Sequence, residues 1–286
     1  MRSWLFVPGD KAKMIDKARG SAADAVILDL EDSVSPPQKA VARDVTRAAL
    51  DAPRNGCQLW VRISALDSVD NALDIAAIIA GAPDGVVLPK ATGAESISAL
   101  ASIIVAAGHD CPPILAIATE TAASLFSIGT YREAGGDLIG LSWGAEDLSA
   151  NLGSTASRDV AGQLTGPFAL ARNLCLFGAV AAKVQPVDTV FTDIRDLDGL
   201  EAECLAARRD GFTGKLAIHP AQIPVINRCF TPSVEDVAQA RRIIAAFVEH
   251  PEAGAIALDG QMVDVPHLKR AERILARALS LEEKNV

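Results

Sequence analysis

Residues 24–33 read DAVILDLEDS, a short apolar run from Ala25 to Leu28 followed at once by Asp29, Glu31 and Asp32. Like charges packed this closely repel, and burial makes the repulsion worse. Such a cluster is expected either where a strand simply stops at the surface or where a cation waits. Other chemistry-bearing residues follow apolar runs in the same way. Arg62 lies in QLWVRI, Lys90 ends GVVLPK, Glu120 ends PILAIATE, and Glu146 and Asp147 follow DLIGLSWG. Asp193 ends VDTVFTD and His219 lies in KLAIHP. Oxygen donors without a cysteine pair or clustered histidines suit Mg2+ or Mn2+. Mg2+ usually takes one or two protein carboxylates, so most of these acids would stand behind the ion. Spacing alone does not single out its direct ligands.

The elements that must position these groups are legible as a pattern. Together with SWLFVP at 3–8, the apolar runs lie at 24–30, 58–63, 85–90, 113–120, 137–144, 187–193 and 215–220. Between them lie Ala-rich segments of helical spacing at 68–80, 93–107, 121–135, 158–183 and 195–210. Near-continuous apolar strands indicate burial on both faces, as in parallel sheets. The repeated alternation predicts an α/β fold, a (β/α)8 TIM barrel, in which functional groups collect where the strands end. A doubly wound sheet is the alternative, but the Gly-rich turn it would carry after an early strand is missing: there is no GxGxxG or P-loop.

Residues 1–232 are read as the catalytic barrel and 233–286 as a helical extension. The extension carries helices at 233–249, with Ser233 as N-cap and Glu235 and Asp236 in the first turn, and at about 265–280. The Gly/Ala-rich stretch 253–260 between them reads as a mobile tether. Two helices in so short a segment bury too little apolar surface to stand as a domain.

The chain has 286 residues and a formal net charge of −9, which argues against nucleic acid or membrane surfaces as partners. No apolar run approaches the ~18 residues that span a bilayer, and the first residues lack the pattern of a secretory signal. A cytoplasmic protein is expected. The five cysteines are scattered without a CxxC pair, so neither a disulfide framework nor a zinc site is expected. An anionic ligand would need a local basic patch, for which Lys11, Lys13, Lys17 and Arg19 are the candidates. Trp4, Trp60 and Trp143 read as packing residues.

The motifs RSWLFVPGD, DAVILDLEDSV, VRI, GVVLPK, ETA, GAEDL, GKLAIHPAQI and FTPS, in that order, resemble the citrate lyase β-subunit-like CoA-ester lyases. These form part of the HpcH/HpaI aldolase superfamily, with its malyl-CoA, citramalyl-CoA and citryl-CoA lyases. The resemblance implies a barrel that assembles as a homotrimer or hexamer and binds Mg2+ at its strand ends. It implies Glu120 and Asp147 as direct metal ligands, with Asp29, Glu31 and Asp32 behind metal-bound water. Arg62 would bind substrate oxygens. Acyl-CoA contacts would come from Pro8, Gly9, Lys11 and Lys13, and from Lys215, Ile218, His219 and Pro220. The MVD motif of GQMVDVPH would supply Asp264 as an acid/base reaching a neighbouring subunit. Ser64 stands where the family usually has Asn.

The implied reaction is a reversible Claisen-type cleavage of a 3-hydroxyacyl-CoA to acetyl-CoA and an α-oxo acid. A malyl-CoA thioesterase, a citrate lyase β subunit working on an acyl-carrier-protein-bound substrate, and a non-catalytic CoA-ester sensor are the alternatives. Single residues have plainer readings too. Lys90 could be a structural ion pair beneath the metal site, and Asp29 a helix cap or buried acceptor. His219 could hold the turn before Pro220, Asp264 could cap the last helix, and the lysines could form a solvated face.

Overall fold

The computed structural model describes residues 1–54 and 56–282. The chain forms two compact units, Met1–Asn227 and Arg228–Val286.

In the first unit, β1 (Ser3–Pro8), β2 (Ala25–Asp29), β3 (Gln58–Arg62), β4 (Gly85–Leu88), β5 (Ile114–Ile117), β6 (Leu138–Ser142), β7 (Gln185–Asp188) and β8 (Gly214–Ala217) pair in that order into a closed barrel. Each pairing is parallel, and β8 closes on β1. The helices are α1 (Ala12–Arg19), α2 (Lys39–Asp51), α3 (Asn71–Ile78), α4 (Ala94–Ala106), α5 (Ala122–Leu125), α6 (Ala145–Leu152), α7 (Gly166–Ala181) and α8 (Leu197–Asp210). The expected TIM barrel is therefore present. Helix α9 (Ile223–Phe230) runs across the limit between the units.

Strand period decides what the barrel buries and what it presents. Trp4, Ala25, Ile27, Trp60, Val87, Leu115, Ile117, Val187 and Leu216 form one buried cluster. The indoles of Trp4 and Trp60 meet edge to face at 4.9 Å, a pairing worth about 0.5–1.5 kcal/mol beyond the area buried. Gly85 is required beside them, because a Cβ there would stand 2.2 Å from the Trp60 ring. Two positions along from these inward residues come Asp29 after Ile27 and Arg62 after Trp60, paired with each other in register. The same alternation that fills the core thus delivers a carboxylate and a guanidinium to the C-terminal mouth.

Two expectations are corrected in this unit. The seventh strand is Gln185–Asp188, so Asp193 lies past its end, exposed. Its Oδ1 accepts the backbone N–H of Arg195 at 3.0 Å and of Asp196 at 3.3 Å, a turn-forming role. The helix expected over 158–183 begins only at Gly166, after an irregular segment with a bridge between Arg158 and Leu164.

The second unit holds α10 (Val234–Glu249), a hairpin of β9 (Ala255–Leu258) and β10 (Gln261–Asp264), and α11 (Val265–Glu282). Ser233 caps α10 in a reciprocal box with Asp236. Ala240, Ile243 and Phe247, at helical spacing, pack with Val263 and Ala271. The stretch read as a tether is corrected: it contains β9 and the hairpin turn. Asp259 and Gly260 both have positive φ, 52° and 77°, the backbone that a two-residue turn demands. No helix among the described residues is long and apolar enough to cross a membrane.

Candidate active site

Asp29 and Arg62 anchor the mouth. Asp29 Oδ1 accepts Arg62 Nε at 2.7 Å and Oδ2 accepts Nη2 at 2.6 Å. The same two oxygens accept the backbone N–H groups of Glu31 (2.9 Å) and Ser33 (3.1 Å). A carboxylate offers about four lone-pair sites, so Asp29 has none left for metal-bound water. The expectation that it stands behind the ion is corrected: it holds Arg62. Burial would raise the Asp29 carboxyl, but Arg62 and these hydrogen bonds hold it below the usual carboxylate range. Burial works against the Arg62 cation, yet Asp29 and Glu31 raise its proton affinity above the ordinary arginine value. The guanidinium lies over Phe6, 4.7 Å from the ring centroid.

Glu31, Asp32, Glu120 and Asp147 gather beside this pair. Glu31 Oε2 is 3.1 Å from Arg62 Nη1, and the exposed Asp32 lies 3.9 Å from the same nitrogen. Lys90 reaches into the group, with Nζ 2.7 Å from Glu31 Oε1, 3.3 Å from Asp147 Oδ1 and 3.8 Å from Asp32 Oδ1. Its backbone N–H donates to Glu120 Oε2. Asp147 sits in the first turn of α6, where the helix dipole favours an anion. Glu120 is 3% exposed. Burial, with the Asp147 and Glu31 carboxylates nearby, pushes its carboxyl up to about 8. Gly144 is the residue that lets it lie there, since a Cβ at 144 would stand 2.6 Å from Glu120 Cγ.

The donor set suits a hard divalent cation. All four acids offer oxygen, and the buried Glu31 Oε2 makes an ion pair with Arg62 Nη1 but no hydrogen bond. Among the described residues no three metal-ligating side chains already converge on one point. Mg2+ keeps several waters and asks for only one or two carboxylates, so a pair such as Glu120 and Asp147 is enough.

The remaining candidates are placed as follows. Pro8 ends β1, and Gly9 is buried where a Cβ would stand 2.8 Å from the Asp29 carbonyl oxygen. Lys11 and Lys13 are exposed, and Lys11 pairs with Asp10 at 2.5 Å. Ile218 and His219 are exposed beyond β8, with Pro220 beside them. His219 Nδ1 accepts the Ala221 N–H at 3.1 Å, as a turn-holding histidine does. Lys215 is a correction. It is fully buried, and its ammonium lies 3.0 Å from Asp188 and 2.7 Å from Glu203. Next to Leu216, which faces the barrel interior, it points outward toward α8 and offers nothing to a ligand. Ser64, 2% exposed beyond Arg62, has an Oγ without a hydrogen-bond partner.

In the second unit, Asp264 ends β10 and is bound to His267. Asp264 Oδ1 is 2.5 Å from His267 Nδ1, and it accepts the His267 backbone N–H at 3.4 Å. Both side chains remain partly exposed, at 35% and 39%. Sequence reasoning missed His267, Phe6 and the partners of Lys215. Only His267 carried a local signal, standing three residues after an acid at a helix start.

The HpcH/HpaI aldolase/citrate lyase family model matches residues 2–220. A citrate lyase subunit beta-like protein of Mycobacterium tuberculosis is 39% identical over 275 residues, covering 96% of this chain and 94% of the relative. A (3S)-malyl-CoA thioesterase of Cereibacter sphaeroides is 36% identical over 280 residues, covering 97% and 94%. The crystal structure of CitE from M. tuberculosis in complex with magnesium, acetoacetate and coenzyme A superposes with a TM-score of 0.82 at 38% identity, over 97% of each chain. With the barrel, the acids at its strand ends and these likenesses in agreement, the chain belongs to the HpcH/HpaI aldolase/citrate lyase family.

Proposed function

We propose that the protein is a Mg2+-dependent carbon–carbon lyase that cleaves, reversibly, a 3-hydroxyacyl-CoA such as malyl-, citramalyl- or citryl-CoA. The products are acetyl-CoA and an α-oxo acid. The observation that carries this reading is the meeting of Glu31, Asp32, Glu120 and Asp147 beside an arginine fixed by Asp29. The relative crystallised with magnesium, acetoacetate and coenzyme A supports it.

Glu120 and Asp147 would hold the ion, with Glu31 and Asp32 behind its waters. When bound, the ion supplies Lewis-acid polarisation of the α-oxo acid's carbonyl oxygen. Arg62 keeps Nη1 outside its paired grip on Asp29, and that nitrogen is the donor for developing oxyanion charge. In cleavage the substrate's 3-hydroxyl gives its proton to solvent water as its C–O becomes the carbonyl of the α-oxo acid and the C2–C3 bond breaks. Its electrons pass into the acetyl-CoA enolate, and Asp264 returns a proton to the terminal carbon; in condensation it takes that proton away. His267 fixes the orientation of the Asp264 carboxylate. Pro8, Gly9, Lys11, Lys13, Ile218, His219 and Pro220 line the path proposed for CoA.

The protein is further proposed to be cytoplasmic and to work as a trimer or hexamer, its C-terminal extension (233–286) serving a neighbouring subunit. A malyl-CoA thioesterase is the second reading, favoured by the 36% identical relative of that name. Product analysis with malyl-, citramalyl- and citryl-CoA, with and without Mg2+, tests both. A lyase gives acetyl-CoA plus glyoxylate, pyruvate or oxaloacetate. A thioesterase gives the free hydroxy acid plus CoA. No turnover of any of them overturns both readings.

A further inference from the structure

Lys90 touches every acid that the proposed metal site would use. Its backbone N–H is on Glu120, and its ammonium lies within 3.8 Å of Glu31, Asp147 and Asp32. The backbone is strained to do so: φ is 52°, a left-handed value in a residue that is not glycine. Such a conformation persists where the surroundings over-determine it, and it concentrates at functional sites. The two cations of the mouth are not equivalent. Arg62 is locked by two bonds to Asp29 and is only 12% exposed. The Lys90 side chain is 33% exposed on a flexible stem, so its ammonium has a route to solvent.

We propose that Lys90 is a resident counter-cation that the divalent ion must displace. Ammonium and ion compete directly for Asp147, and the ion's waters compete with the ammonium for Glu31, so Lys90 weakens metal binding while steadying the acid cluster without metal. The inference rests on the reading that these acids take Mg2+. The argument is one of charge. Lys90 is the mobile positive charge for acids that otherwise repel one another. A divalent ion at the same carboxylates is repelled by the ammonium in a partly buried site, where salt screens poorly. A lysine that merely oriented Glu31 for the metal would have the opposite effect, since losing such support weakens metal affinity.

The sign of the change therefore decides. Mg2+ titration calorimetry and thermal unfolding in EDTA would compare the full-length wild type with Lys90→Met and Lys90→Gln. Both variants are expected to bind Mg2+ about tenfold more tightly, at the low end of the range for changes around a metal's ligands, and to unfold at lower temperature in EDTA. A folded variant with unchanged or weaker Mg2+ affinity overturns the proposal. Should neither variant fold, amine labelling of the wild type, read by mass spectrometry at Lys90, takes their place. Mg2+ is expected to raise that labelling several-fold as the ammonium leaves its carboxylates; unchanged or reduced labelling overturns the proposal. A wild type that binds no Mg2+ overturns the metal reading and this inference together. Wild-type binding without tightening in the variants overturns this inference alone.

Discussion

Asp29 grips Arg62 in a parallel, two-bond pair, 2.7 and 2.6 Å long, at the ends of adjacent strands. The carboxylate thereby fixes the plane of the guanidinium, while Phe6 supports its face. Asp29→Asn keeps the shape but removes the charge opposite a buried cation. Breaking a buried ion pair from one side typically costs about 3–5 kcal/mol, and a misaimed catalytic group about 100-fold in rate. Both losses are expected, one from the urea unfolding midpoint and one from kcat. A variant with wild-type turnover would show that Asp29 does not aim Arg62.

Lys215 separates a ligand-binding role from a structural one. Burial alone would lower its pKa, but Asp188 and Glu203 raise it, so it stays charged inside the wall between β8 and α8. Arg172 and Trp143 also face Asp188, at 3.4 and 2.7 Å. Lys215→Met leaves Asp188 buried with these partners only. The expected result is a loss of about 3 kcal/mol in unfolding free energy with CoA affinity unchanged by calorimetry. A selective loss of CoA binding at full stability would restore the contact implied by the family resemblance.

The barrel was legible because most of its strands are short, mainly apolar runs spaced by segments of helical period. The seventh strand was misplaced for the same reason in reverse. Its residues, Gln185 to Asp188, include a proline and two polar groups, while the more apolar run beyond them is irregular. The hairpin of the second unit was missed because β9 and β10 are mostly exposed or half-buried and β9 lies in a Gly/Ala-rich stretch, although Asp259-Gly260 is a strong turn signal. Arg62, Glu120 and Asp147 stand out as candidates because each ends or follows an apolar run, together with Asp193 and His219, and the family resemblance narrows that set. The burial of Lys215 could not be picked out, because its partners lie 27 and 12 residues away in sequence and only the pairing of β7 with β8 and the packing of α8 bring them together. Lys90 was visible at its strand end, but its contact with four acids depends on a left-handed backbone that no motif announces.

Glu120 makes the metal-free protein sensitive to alkali. Its folded pKa, about 8, lies above the ordinary glutamate value of 4.5. Between those limits the folded state binds more protons than the unfolded state, so this group's contribution to stability falls as pH rises. In EDTA, the melting temperature is expected to fall from pH 5 to pH 8 less steeply in Glu120→Gln than in the wild type. On the proposed reading Mg2+ is held by the ionised Glu120, so wild-type affinity for it is expected to rise over the same interval. Parallel stability profiles for the two proteins would remove Glu120 as the source.

Asp264 and His267 supply the last test, which concerns assembly. The pair stands at the junction of a hairpin and a helix, with a short Asp264–His267 contact and partly exposed side chains. The hydrogen bond from His267 holds the Asp264 carboxyl below its ordinary value, which keeps it ionised. Two substitutions separate capping from chemistry. His267→Asn is expected to retain part of the turnover, whereas Asp264→Asn should lose it yet still bind acyl-CoA and Mg2+. If the C-terminal extension serves a neighbour's barrel, the lesions in Asp264→Asn and Arg62→Ala fall together in one site of a mixed oligomer and leave another site with neither. Subunit exchange between these two inactive proteins should then regenerate sites in which both residues are wild type. Recovered activity, scaling with the exchange measured by native mass spectrometry, is the expected outcome. A mixture that stays inactive despite proven exchange, or a fully active monomer, would place Asp264 outside any shared site.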